Sequence, residues 1–167
     1  MNTDTLSPFE TQNGYKLRKK VRAIIVDEQQ RYLLIQPHSY AHDSWTLVGG
    51  SVEDGESYEQ AILREIREET GIADIRGLHL SKEIHWFCFS QRIKNERKLD
   101  YDGQVARIFL VFTRSNGIIN IQHEEVRAFC WAEAGEIDGL IKVPEQQELF
   151  KKVVQEFKEL GGIPHNL

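Results

Sequence analysis

Disulfide chemistry is the first thing this chain lacks. Its 167 residues include only two cysteines, Cys88 and Cys130, too few for a disulfide framework and without the spacing of metal ligands. Both fall in apolar, strand-like runs, so two buried free thiols are expected. No run of roughly 18 apolar residues occurs, so no segment has the length of a membrane-spanning helix. The opening MNTDTLSPFETQNGYKLRKK has no apolar core of the kind a signal peptide carries, and a cytoplasmic location is the default expectation. A surplus of positive charge is missing too. The net charge of −5 argues against a basic surface for duplex nucleic acid, and an acidic protein that binds polyphosphate needs metal and local basic residues. Internal repeats and low-complexity tracts are absent.

What remains is a chain with 40% hydrophobic and 28% charged residues, the profile of one soluble domain large enough for a core. Residues 1–19 are polar and contain Pro8 and Gly14, which predicts a loosely packed arm. The domain itself is expected over 20–162, with a short tail at 163–167. Lys16, Arg18, Lys19, Lys20 and Arg22 form a basic cluster, read either as a solvated strand edge that guards against edge pairing or as a set that meets phosphates. Val21–Val26 and Tyr32–Ile35 flank a polar turn and read as a hairpin. Trp45–Val48 reads as a brief strand leading into Gly49-Gly50. His38 and His42 lie four apart, but in a loop with no companion ligand, and carry no metal assignment.

The most informative stretch is Gly50–Ile72, GSVEDGESYEQAILREIREETGI. Ser57 followed three residues later by Gln60 is a capping box, so a helix is expected from near Tyr58, closed by Gly71 in a left-handed conformation. On it Glu65, Glu68 and Glu69 stand at i, i+3 and i+4, within roughly 100° of arc. Ile62, Leu63 and Ile66 fall on the adjoining arc and face a core. A run such as REIREE is ordinarily a solvated face. A solvated face, however, has no use for Gly50, Glu56 and Gly71 at fixed offsets. Glutamates this close raise each other's pKa unless a cation sits among them, and a hard divalent ion such as Mg²⁺ suits such donors.

Gly50, Glu56, Arg64-Glu65-Ile66, Glu68-Glu69 and Gly71-Ile72 resemble the Nudix box at every defined position, a pattern with a chance occurrence on the order of 10⁻⁸. The resemblance implies an α/β/α sandwich with a curved mixed sheet, flanked by the box helix and a C-terminal helix. It implies Mg²⁺-dependent hydrolysis, with Mn²⁺ as a substitute, of a phosphoanhydride in a nucleoside diphosphate-linked substrate, a nucleoside triphosphate or dinucleoside polyphosphate being favoured. It further implies that Glu65, Glu68, Glu69 and the backbone oxygen of Gly49 hold the metal. Glu56 would pair with Arg64 as scaffolding, and Gly50 and Gly71 would be structural. Glu125, six positions before Trp131, matches an acidic residue found outside the box in many members, with Glu124 as its rival. Glu69, Glu125 and Glu65 are the catalytic candidates, and the base among them stays open. A catalytically silent nucleotide sensor, or a hydrolase of a non-nucleotide or nucleotide-sugar diphosphate, is the alternative.

Farther on, Ile75–Leu80, Ile84–Phe89, Gln104–Phe112, Ile118–Ile121 and Val126–Trp131 read as strands, with Gly117 marking a turn. Residues 91–103 read as a polar loop, either a plain connection or one facing substrate. Arg92, Lys94 and Tyr101 are its candidate substrate-binding residues, with Arg97 and Lys98 as further cations. Tyr15, Tyr40, Trp86 and Phe129 are other rings available to stack on a base. Leu149, Val153, Val154, Phe157 and Leu160 recur at helical spacing after Pro144 and before Gly161-Gly162, which predicts a core-packing C-terminal helix. The expected partner is a small nucleotide, with no membrane and no duplex nucleic acid, and the chain is expected to be a monomer or homodimer.

Overall fold

One long strand holds the sheet together. The computed structural model describes residues 6–114 and 119–162, and in it β2 (Tyr15–Val26) pairs along its whole length. On one side β6 (Gly103–Thr113) runs parallel to it from Leu17 to Val26. On the other side β1 (Phe9–Gln12), β4 (Val48–Ser51) and β3 (Tyr32–Pro37) meet it in turn, all antiparallel. β5 (Ile75–Cys88) pairs antiparallel with β6, and β7 (Val126–Ala132) with β3, which completes an open, mixed seven-stranded sheet.

Alternation along β2 sorts its side chains between two layers. Val21, Ala23 and Ile25 enter one core with Ile62 and Ile66 of α1 (Tyr58–Thr70). Ile24 and Val26 enter the other with Leu149, Phe150 and Val153 of α4 (Pro144–Glu159). Helices therefore cover both faces, the expected α/β/α arrangement. Two short helices, α2 (Gln91–Arg97) and α3 (Ile137–Leu140), complete the set. No helix among the described residues is long and apolar enough to cross a membrane.

Several expectations need correction. Phe9–Lys19, read as part of a loose arm, is largely paired strand. Asn13 and Gly14 both have positive φ, 51° and 81°, which joins β1 to β2 through the tight hairpin that Asn-Gly favours. Charged side chains at alternate positions hid the strand. The basic cluster does not lie on an edge, because β2 is internal to the sheet. Residues 91–97 are helix rather than loop, started by Ser90, whose hydroxyl accepts from the Ile93 N–H. The two strands expected over 75–89 are one, with a break in register between Leu80 and Ile84. The strand expected before Gly49 begins only at Val48 and carries both glycines. Ile119 and Ile121 pack on the α1-side core outside any strand. Gly117, Ile118 and the 163–167 tail lie outside the described residues. Leu63 is exposed. So is Cys88, while Cys130 is half-buried, its thiol pushed up to about 11 by burial, with the Glu136 carboxylate adding to it.

Candidate active site

α1 begins and ends as its sequence dictates. Ser57 Oγ accepts from the Gln60 N–H, and Gln60 Oε1 accepts from the Ser57 N–H. Gly71 closes the helix at φ 71°. With both ends fixed, the acidic arc of α1 lies against β4. The contact is close: a Cβ on Gly50 would stand 2.1 Å from Glu65 Oε1, and one on Gly49 would stand 2.1 Å from the Val21 carbonyl oxygen. Only glycine allows this approach.

Arg64 ties the loop to the helix. Its Nε and Nη2 donate to the two oxygens of Glu56 at 2.6 and 2.9 Å, and Nη2 also donates to the Ser51 carbonyl at 2.9 Å. That hydrogen bonding holds the Glu56 carboxyl below the usual range. Arg64 Nη1 reaches Glu65 at 2.9 Å and Glu68 at 3.1 Å. Glu69 is buried and accepts from the Gly49 N–H at 3.0 Å. Burial pushes Glu69 up to about 7; the Gly49 hydrogen bond opposes it, and Glu65 and Glu125 add to it. Glu65 is raised as well, by burial first, with Arg64 opposing. The Glu125 charge contributes to the raising of both.

Among the described residues no group of three metal-ligating side chains is drawn together as a ready cation cage; Arg64 is shared by Glu65 and Glu68, and the Gly49 N–H holds Glu69. The donor set nevertheless fits a hard divalent ion. It is all oxygen, anionic and mutually repelling, and a cation relieves that repulsion.

Beside these acids lies an open sheet face that carries part of the basic cluster, expected either as a solvated strand edge or as a set that meets phosphates. Arg18, Lys20 and Arg22 project from alternate positions of β2, and none of them makes a salt bridge among the described residues. Lys20 donates to Ser51 Oγ at 2.7 Å. Burial, then Arg22 and Arg18, push its pKa down to about 8. Ser51 and Gly49 are the β4 partners of Lys20 and Arg22, and across β4 the Glu65 charge acts on Lys20 and the Arg22 charge on Glu69. On the far side stand His85 and Phe87 of β5 and Gln104 of β6, which share a cleft with Lys20, Arg22 and Gln146. Acids, cations and an exposed ring thus succeed one another across the sheet. The alternation of Lys16, Arg18, Lys20 and Arg22 was the signal available in the sequence.

The 91–103 candidates lie elsewhere. Arg92 is exposed and paired with Glu96 at 2.7 Å. Lys94 is held by Asp102 at 2.6 Å, and Tyr101 packs between Phe9 and Phe89. None of the three lines the cleft, nor do Tyr15, Tyr40, Trp86 and Phe129. His38 Nε2 lies 2.7 Å from the His123 carbonyl oxygen, and Gln36 Nε2 donates to the His42 carbonyl, consistent with loop packing. A cavity of about 310 Å³ near Asp27, Tyr32 and Phe157 contains none of the carboxylate candidates.

Known proteins resemble this chain in sequence and in fold. The model of the NUDIX domain matches residues 16–156. The RNA pyrophosphohydrolase of Sphingopyxis alaskensis is 30% identical over 145 residues, covering 82% of this chain and 90% of the relative. Among solved structures, the dihydroneopterin triphosphate pyrophosphohydrolase of E. coli superposes with a TM-score of 0.68 at 22% identity, covering 83% of this chain and 95% of that one. A C. elegans Ap4A hydrolase superposes at 0.64 and 20% identity, covering 84% and 98%.

Proposed function

The chain belongs to the Nudix hydrolase family, and from that premise we propose that it hydrolyses a phosphoanhydride bond in a nucleoside 5′-polyphosphate, an RNA 5′ end being the favoured form. The observation that carries this reading is the row Arg18, Lys20 and Arg22, three cations on one face of an internal strand with no salt-bridge partner among the described residues. Like charges so placed repel one another and call for a polyanion. A chain of phosphates laid along the row passes the carboxylates at Gly49 and Gly50. Phe87 and His85 then offer a surface for the attached base.

Glu65, Glu68, Glu69 and the Gly49 carbonyl oxygen would hold the divalent ion, Mg²⁺ or Mn²⁺. When bound, that ion neutralises phosphate charge and lowers the pKa of attacking water. Arg64 fixes the carboxylates through Glu65 and Glu68 while its bond to Glu56 keeps the preceding loop against the helix. A carboxylate takes the proton of water as the oxygen attacks phosphorus, and the bridging P–O bond breaks to leave two phosphorylated products. Glu69, Glu125 and Glu65 are the candidates for the base. The RNA form is favoured because the Sphingopyxis relative, an RNA pyrophosphohydrolase, is matched over 90% of its length.

The test is turnover of nucleoside triphosphates, dinucleoside tetraphosphates and 5′-triphosphorylated RNA with Mg²⁺, read by product mass. Metal-dependent release of pyrophosphate or phosphate, stopped by a chelator, is expected. Tight binding without turnover would instead identify a sensor.

A further inference from the structure

The two outer strands of the sheet are not alike. β5 and β7 each close one end of the strand order, but of the nine large hydrophobic side chains exposed among the described residues four, Leu80, Ile84, Trp86 and Phe87, lie on β5 and one, Phe129, on β7. A long apolar edge of this kind is a template for a further strand. Only part of it is open. Between Leu80 and Ile84 the ladder to β6 breaks register, and there side chains take the backbone donors: the Lys82 N–H donates to Glu156 Oε1 at 3.1 Å and the Glu83 N–H to Ser81 Oγ at 3.0 Å. From Ile84 to Cys88 the register is unbroken. Just beyond it the Phe89 N–H donates to the Asp102 carbonyl at 2.8 Å. By alternation Phe87 and His85 also turn their backbone groups toward β6, while Cys88, Trp86 and Ile84 turn theirs outward.

We propose that residues 84–88 pair antiparallel with the same segment of a second copy of this chain, joining two sheets across a two-fold axis at Trp86. Symmetry selects the register, because a contact between identical surfaces requires residue i to meet j and j to meet i. Centred on Trp86, the pairing sets Trp86 opposite the partner's Trp86 and Ile84 opposite the partner's Cys88. All three outward-facing residues then stand in hydrogen-bonded positions, each exchanging an N–H and a carbonyl bond with its opposite. A centre shifted to either side would oppose one of the three to Lys82, whose N–H is committed to Glu156, or to Ser90, which caps α2. Charge also suits a second copy: apart from the Cys88 thiol, His85 is the one ionisable side chain in the segment, so no fixed like charges are brought together.

The same register reaches the candidate active site. Ile84, Trp86 and Cys88 share one face of β5, and His85 and Phe87 share the other. His85 and Phe87 line the cleft beside Lys20 and Arg22, and in the pair His85 stands opposite the partner's Phe87. Each cleft therefore continues onto the other copy, and the surface beside the cation row is completed in trans. The break in register with Lys82 and Glu83 confines the contact to this short segment and keeps the rest of the edge from pairing further.

Analytical ultracentrifugation over about 1–100 µM chain tests the pairing. Wild type should sediment as a dimer in the upper part of that range. Trp86→Glu, which sets two like charges against each other on the axis, should be monomeric throughout, with an unchanged far-UV circular dichroism spectrum. Ile84→Lys, off the axis, should weaken association about tenfold or more by burying an unpaired charge, and it serves as the readout if Trp86→Glu fails to fold. A thiol-to-thiol reagent too short to span four residues of strand, about 14 Å, reads the register. In Ile84→Cys it should link the introduced thiol to the partner's Cys88, about 5.5 Å away between Cα atoms, and produce a covalent dimer. Wild type and the double variant Ile84→Cys, Cys88→Ser should give none, since equivalent positions of the two copies stand about 14 Å apart. A wild type that is monomeric over the whole range, a dimeric Trp86→Glu, or a cross-link that forms equally without Cys88 would each overturn the pairing. None of these measurements involves turnover, so they stand apart from the test of the hydrolytic reading.

Discussion

The α4-facing side of the sheet has two halves built from the same strands and put to opposite uses. β2 presents Arg18, Lys20 and Arg22 in one half, then Ile24 and Val26 in the other. β6 presents Gln104 and Ala106, then Ile108, Leu110 and Phe112. The backbone pairing between these strands continues without a break from Leu17–Gly103 to Val26–Phe112, so the ladder does not distinguish the halves. Only side chains do. α4 covers the apolar half, where Ile24 and Ile108 are fully buried, and only borders the charged half through Gln146 and Leu149, leaving Arg18, Lys20 and Arg22 half-buried. Stability is thus concentrated where water is excluded, and ligand binding where three like charges are tolerated because solvent, and then substrate, can reach them.

Three substitutions test that division, two of them two residues apart on β2. Ile24→Ala should lower unfolding free energy by about 2–5 kcal/mol, seen as a lower urea midpoint, while kcat of the protein that remains folded stays within about twofold. Glu68→Gln, in the α1 carboxylate cluster, should lower kcat by at least about 100-fold, about 2.7 kcal/mol of transition-state stabilisation, with the urea midpoint nearly unmoved. Near-normal Mg²⁺-dependent turnover would remove Glu68 from the metal set. Arg22→Ala should raise KM about tenfold, the order expected for one charge-assisted contact to phosphate. It also removes a like-charge neighbour of Lys20, so stability should hold or rise slightly. If Arg22→Ala unfolds the protein while Ile24→Ala stays stable and inactive, the division is wrong.

How much of this was legible in the sequence follows from which patterns are local. The capping box, the spacing of the α1 glutamates, Gly71 and the Glu56–Arg64 clamp depend on residues within a few turns of one another, and the structure has each pairing as expected. The two-layer core was legible in the same way, from Val21–Val26 and from Leu149, Val153 and Val154. The open half was legible only in part, because the basic cluster was expected either at a solvated edge or against phosphates and its place inside the sheet was missed. Lysine and arginine at alternate positions lower apparent strand character, and a single strand does not disclose that it will be internal. Phe87 was passed over for a related reason. The position of a ring relative to Lys20 is set by the β5–β6–β2 register, which joins residues dozens of positions apart. α2 escaped because no residue on it is buried, leaving no apolar stripe to read, although Ser90 was a usable capping signal.

The smallest effect belongs to the seam where α4 meets β5. Glu156 accepts from Ser81 Oγ at 2.6 Å and from the Lys82 N–H at 3.1 Å, and lies 3.2 Å from His79 Nε2. Burial alone would raise its carboxyl, but these three hydrogen bonds together outweigh burial and hold it below the usual range. A carboxyl depressed in the folded state adds stability that is present above its unfolded pKa and is lost as pH falls through the folded value. Wild type should therefore exceed Glu156→Gln by about 1 kcal/mol at neutral pH. The gap should close as pH drops below about 4.3, the ordinary value for glutamate. Urea midpoints of both proteins across pH 2.5–7 provide the check. A gap of constant size would mean that Glu156 contributes by packing rather than by charge. Because α4 is what separates the sealed half from the open one, activity measured at pH 7 should be the same in both proteins.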